Sequence, residues 1–170
     1  MYFYEAITQR INNISARFQA EKEVIQIMYN FALRATEVIN NAKHIITTGG
    51  TTTIIGAKRG DTEVMIDQSR SAELQLFQSK WENNYLKMSF SKLKRFCDDI
   101  FSDFRTDRRT NNVSTHILRF AKAQEIYVLT SDIQKVMSAL REKSQRNAEV
   151  YITAVFYSEY MSPFTPVNYS

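Results

Sequence analysis

The side chains with chemistry to offer are acids spaced for a metal, one thiol, two imidazoles, and a large set of cations interleaved with aromatic rings. Asp99, Asp103 and Asp107 fall four apart, which puts them on one helix face where a divalent metal would need them. Helix carboxylates ordinarily face solvent and pair with nearby cations, and Lys94 and Arg95 are available here, so no metal is expected. Asp67 and Glu73 with Gln75 have the residue types of a nuclease-like centre but lack the lysine two residues after the acid. Cys97 lies on an apolar helical stripe without a base, unlike a nucleophile. His44 and His116 have no companion at ligand or triad spacing and read as structural. Gly49, Gly50, Gly56 and Gly60 lie in hairpins and not between a strand and a helix start, so no phosphate loop is present. The expectation is a protein without catalytic residues, metal or cofactor, and not an enzyme.

The cations and rings suggest a different use. Phe77, Trp81 and Tyr85 could stack on exposed bases, each worth about 1–3 kcal/mol, while Lys58, Arg59, Lys80, Lys87, Arg105, Arg108 and Arg109 neutralise phosphates. The competing arrangement has this face packed under the N-terminal helix, which would make Phe77 and Tyr85 core. The net charge of +4 permits an anionic partner. Its excess belongs to the middle of the chain: residues 43–92 carry seven Lys/Arg against five acids and residues 93–124 seven against four, whereas both ends are balanced to within one. Arg105 to Asn112 is the densest basic stretch, and the planar forks of arginine suit phosphate.

These residues must be positioned by elements that the hydrophobic periodicity indicates. Residues 1–41 read as helical: Ile7, Ile11, Ile14, Phe18, Ile25, Met28, Ala32, Ala35 and Ile39 form one stripe, with neither Gly nor Pro from Tyr4 to Asn40. One continuous helix would run roughly 50 Å, so either it breaks near Gln19 to Lys22 or its first half projects. Residues 43–92 read as an antiparallel β-meander of four to five strands. Gly49-Gly50 makes the first turn, Lys58-Arg59-Gly60-Asp61 the second, and strands follow at Glu63–Asp67, Glu73–Phe77 and Tyr85–Ser91. A helix is the alternative for 72–104, since Leu74, Phe77, Trp81, Tyr85 and Met88 also fit steps of three and four. Residues 92–124 read as helices, the first capped by Ser91. Residues 125–160 read as a strand-helix-strand unit with the helix starting at Asp132, and 161–170, with both prolines, as an extended tail. The fold class is therefore α+β, expected as a single domain over 1–170, given 44% hydrophobic and 24% charged residues.

A lone cysteine excludes an internal disulfide and fits a reducing compartment. With no apolar run near the ~20 residues of a membrane span and no signal-peptide pattern, no membrane association is expected and the location is taken as cytoplasmic.

A run of four or five antiparallel strands followed directly by a helix, here 51–104, resembles the repeating unit of the Whirly and Pur-alpha families. That resemblance rests on the order of elements and covers under half the chain, with no motif residue to carry over. It implies binding of RNA or single-stranded DNA along a β-surface, commonly in oligomers. The leading expectation is thus a non-enzymatic single-stranded nucleic-acid-binding protein, RNA-binding and homo-oligomeric. The alternative is a structural or assembly protein, of viral type, that binds other protein chains.

Overall fold

In the structure, a computed structural model, residues 1–106 and 115–158 are described. The tail 161–170, Asp107, Arg108 and Arg109 lie outside the described residues.

The N-terminal stripe folds as two helices, α1 (Phe3–Asn12) and α2 (Gln19–Asn30), joined through a 3₁₀ turn at Ala16–Phe18. The break falls earlier than Gln19 to Lys22, because Ser15 Oγ accepts the Arg17 N–H and starts a new turn there. The first half does not project: Phe3, Ile7 and Ile11 are buried. Arg10 ties α1 to the middle of the chain, donating to Asp103 Oδ1 and Oδ2 at 2.7 and 2.9 Å and to the Ile100 carbonyl at 2.6 Å. Asp103 is thereby engaged with a guanidinium. Two short helices follow, α3 (Ala35–Ile39) and α4 (Asn41–His44).

The meander is half as long as expected. Strands β1 (Ile45–Thr48), β2 (Thr51–Ile55) and β3 (Glu63–Ile66) form an antiparallel sheet in sequence order, with Ile45 opposite Ile54 and Ile54 opposite Val64. Gly49 and Gly50 both take positive φ, +59° and +82°, as a two-residue hairpin loop requires. The expected fourth strand is instead helix α5 (Gln68–Glu82), whose buried Ser71, Leu74, Phe77 and Trp81 recur at steps of three and four. The helical alternative prevails because only that period gathers all three large side chains on one buried face. The expected fifth strand is a connection in which Leu86 and Met88 are buried, followed by α6 (Phe90–Ile100). Ser89 caps α6 through the Lys92 N–H at 3.1 Å, and Ser91 lies inside the helix.

The C-terminal strand-helix-strand unit is also replaced. The run EIYVLT is the second half of α7 (Ile117–Thr130), and α8 (Ile133–Leu140) begins at Asp132 as its capping oxygen demands. The apolar stretch through Tyr151 is α9 (Gln145–Thr153), with Ala148 and Ile152 one turn apart in the core. Their β-branched residues favour strands only where a sheet is there to receive them; here tertiary packing overrides that preference. Two short strands, β4 (Arg105–Thr106) and β5 (Phe156–Tyr157), pair antiparallel. The class remains α+β with helices dominating.

Helix α7 packs against α1, α2, α8 and α9. Around it lies a core that joins Phe3, Phe104 and Phe156, with Phe3 and Phe156 stacked at 4.3 Å, to Leu74, Phe77 and Leu93. A second cluster of Ala32, Ala123, Val136, Leu140, Ala148 and Ile152 holds α8 and α9 on the other side of α7. Among the described residues no helix is long and apolar enough to cross a membrane.

Candidate functional site

The expected sheet surface does not assemble. Phe77 and Trp81 are 2% and 7% exposed, tilted on one another at 5.7 Å in the core, so neither ring offers a face to a base. Tyr85 is 74% exposed beyond the end of α5. Lys80 pairs with Glu23 at 2.6 Å, and Lys87 is exposed. Arg105, at the start of β4, turns its guanidinium back to the carbonyls of Ser102 and Phe104. Lys58 and Arg59 are exposed in the β2–β3 turn. Of these residues, Lys58 borders, through its backbone N–H on Asp61, a place where the described residues concentrate buried charge.

That place lies where α3, the β2–β3 turn, α7, α8 and α9 meet. Glu37, fully buried on α3, is its hub. Oε1 accepts from the Arg34 N–H at 2.7 Å and Arg141 Nη2 at 2.6 Å, and Oε2 from Arg34 Nη1 at 3.0 Å and the Ala57 N–H at 2.9 Å. Arg34 also turns Nη1 and Nη2 to the Asp61 carboxylate. Arg119, with no exposed surface, projects from α7 and donates to the Ala32 carbonyl at 2.6 Å and the Leu140 carbonyl at 3.0 Å. Its guanidinium carbon lies 5.5 Å from the ring centroid of Tyr151 on α9. Arg141, equally buried, donates to Phe31, Ala139 and Ala32 carbonyls at 3.2, 3.0 and 2.9 Å. Among the described residues, Arg119 Nε and Arg141 Nε have no hydrogen-bond partner.

The backbone is bent to make this cluster. Arg141 ends α8 at φ +60°, a left-handed conformation that glycine normally supplies. A β-carbon there costs roughly 1 kcal/mol, so the site holds an arginine against its local preference.

Electrostatics follow from the crowding of cations. Burial opposes ionisation of Glu37, but Arg141 and the N–H groups of Arg34 and Ala57 outweigh it and hold the carboxyl below its ordinary range. Burial likewise works against Arg34, whose pKa is nonetheless raised by Asp61 and Glu37. For Arg141, burial prevails over the pull of Glu37, with Arg119 and Arg34 adding to it, and pushes the guanidinium down to about 10. At His116, an exposed residue at the N-cap of α7, desolvation is the leading cause of a lowered pKa. The charges of Arg119, Arg34 and Lys58 then help take it to about 4, so the imidazole is neutral at physiological pH. By contrast, burial pushes the Cys97 thiol up to about 12, far from a thiolate.

Three guanidinium groups, Arg34, Arg119 and Arg141, thus meet two carboxylates, with the Tyr151 ring against Arg119 and the exposed Lys58 next to Asp61 on the turn. Such an arrangement is suited to a phosphate with a nucleophile next to it.

The fold has solved counterparts. This structure matches two structures of the XerH site-specific recombinase, a post-cleavage complex with palindromic difH substrate at 20% identity and a pre-cleavage complex with difH substrate at 22%. Both have a TM-score of 0.56 over 87% of this chain and 47% of theirs. The chain therefore spans about half the length of these recombinases, and at this identity the likeness shows the fold. No protein-family model matches the sequence, and neither does any curated protein.

This fold corrects the resemblance to Whirly and Pur-alpha, which rested on a meander whose last two strands do not form. The reading as a non-enzymatic single-stranded RNA or DNA binder loses its basis with it: the counterparts are recombinases, which are enzymes. Two signals in the sequence point to the cluster that was missed. Arg34 and Glu37, like His116 and Arg119, stand three apart, the first of each pair at a helix N-cap and the second in its first turn, and Arg119 interrupts the apolar stripe of Ile117, Leu118 and Ala121. A charge on a buried stripe needs a partner, and that need is the clue.

Proposed function

We propose that this chain binds duplex DNA and takes part in breaking and rejoining its strands, with Tyr151 as the attacking group. The observation that carries this reading is Arg119 beside the Tyr151 ring, inside a cluster where Arg34, Arg141 and Lys58 leave cations in excess. A fold shared with a site-specific recombinase seen before and after cleavage supports it.

In this mechanism the Tyr151 phenol oxygen attacks a backbone phosphorus. A P–O bond to tyrosine forms as the bond to a deoxyribose oxygen breaks, and that oxygen leaves as a hydroxyl. Arg34 stabilises the charge that grows on the non-bridging oxygens, and the buried Arg119 adds its positive field from beside the Tyr151 ring. Neutral His116 can accept the phenol proton, and Lys58 can give one to the leaving oxygen. Rejoining is the reverse: the hydroxyl attacks the phosphotyrosine ester and releases Tyr151.

The test uses a random-sequence pool of nicked duplexes, labelled on one strand and mixed with the chain. A denaturing gel should show label retained on the protein by wild type and none by Tyr151→Phe. Label retained by Tyr151→Phe, or by neither protein, overturns the reading.

A further inference from the structure

Arg34 presents both terminal nitrogens to a single group. Nη1 meets Asp61 Oδ2 and Nη2 meets Oδ1 at 3.3 Å, while the Lys58 N–H donates to Oδ2 at 3.1 Å. The Asp61 side chain is only 4% exposed. A guanidinium fork and a backbone N–H converging on one oxyanion form the donor set that takes a phosphate.

The seat is shaped to admit this carboxylate. A β-carbon at Gly56 would lie 2.1 Å from Asp61 Oδ2 and 2.5 Å from its Cγ, so only glycine leaves the room it occupies. The two acids of the cluster differ in what secures them. Glu37 sits on a helix with no exposed surface and also holds Arg141. Asp61 is delivered by the exposed turn 57–60, in which Gly60 takes φ +90°, and among the described residues its carboxylate accepts hydrogen bonds from Arg34 and the Lys58 N–H of that turn.

We infer that Asp61 is an internal stand-in for phosphate, which occupies Arg34 at rest and must be withdrawn by the β2–β3 turn before Arg34 engages DNA. The inference rests on the reading of the cluster as a phosphodiester site and adds a closed state to it. Withdrawal raises the local charge by one when substrate phosphate arrives to replace the carboxylate.

The test compares wild type, Asp61→Asn and Gly56→Ala for binding of inorganic phosphate by calorimetry and of a short duplex by fluorescence anisotropy. Asparagine keeps the volume and removes the charge; alanine keeps the charge and fills its seat. Both should tighten phosphate and duplex binding about tenfold, which corresponds to a resting state open about a tenth of the time. The gain should vanish when Arg34→Ala is added. Thermal melts establish that each variant is folded, and the two act by different routes, so a folding defect in one leaves the other to decide.

Unchanged or weaker binding by the folded variants overturns the inference and makes Asp61 a support for Arg34. Phosphate bound by no variant overturns it as well. Since phosphate binding requires no strand cleavage, a Tyr151 adduct without these gains refutes the inference and spares the proposed function; gains without an adduct do the opposite.

Discussion

Arg141 Nη2 lies 2.6 Å from Glu37 Oε1, and neither side chain has any exposed surface. This pair joins the end of α8 to α3, and through Glu37 it sets the position of Arg34. Its removal from one side leaves a buried charge uncompensated. Arg141→Ala should therefore cost about 3–5 kcal/mol in urea unfolding. Arg141→Gly should cost about 1 kcal/mol less, because glycine relieves the left-handed backbone at φ +60°. Equal losses would show that the backbone is unstrained.

His116 should make the protein sensitive to mild acid. Its pKa is about 4 in the fold against an ordinary 6.5, so between those values the unfolded chain binds the proton more readily. Stability is then fully present above about 6.5, falls as pH drops toward 4, and shows no further loss from this group below that. An NMR titration of the imidazole checks the midpoint, and His116→Asn should flatten that part of the stability profile. A midpoint near 6.5 would contradict the electrostatics of the cluster.

Glu37 acts in a lower window. Its carboxyl is held below the ordinary 4.5, so its contribution is complete above that value and lost as pH falls through the folded one. Acid unfolding followed by circular dichroism should shift upward in pH if Arg141→Lys weakens the pair. No shift would mean that the backbone N–H groups alone hold the carboxylate.

Binding and chemistry should separate by residue. Tyr151→Phe should bind duplex within about tenfold of wild type, since a phenol hydroxyl contributes at most one neutral hydrogen bond. Arg119→Ala should lose both binding and adduct, because under the proposed function the buried guanidinium beside the Tyr151 ring supplies positive charge to the phosphate from behind. A Tyr151→Phe protein that no longer binds DNA would move the tyrosine from attack to recognition.

Phe77→Ala and Trp81→Ala should destabilise the fold by about 3–5 kcal/mol each, as for large core aromatics. Guanidinium unfolding checks the loss. A loss below about 1 kcal/mol would show that the two rings do not carry the packing of α5 on the core.

Local chemistry was legible where it acts alone. Gly49-Gly50 specified its hairpin because positive φ at two successive residues is a demand that few other pairs meet. Asp132 marked the start of α8 because its oxygen caps the free N–H groups within reach. From Leu74 to Tyr85 the pattern fits both a period of two and steps of three and four, and the choice fell to the buried face that α5 offers against the core.

The amino-acid sequence by itself determined the α+β class, the first hairpin and the apolar stripe of the N-terminal helical region, since each follows from short-range periodicity and turn chemistry; whether and where that stripe breaks was left to the tertiary structure. Only the tertiary structure decided the site. Arg34, Asp61, Arg119, Arg141 and Tyr151 come from five different elements, and no spacing announces that these elements meet. What unites them is burial: charges removed from water must find one another or a ligand, and that requirement exists only once α7, α8 and α9 close over α3 and the β2–β3 turn.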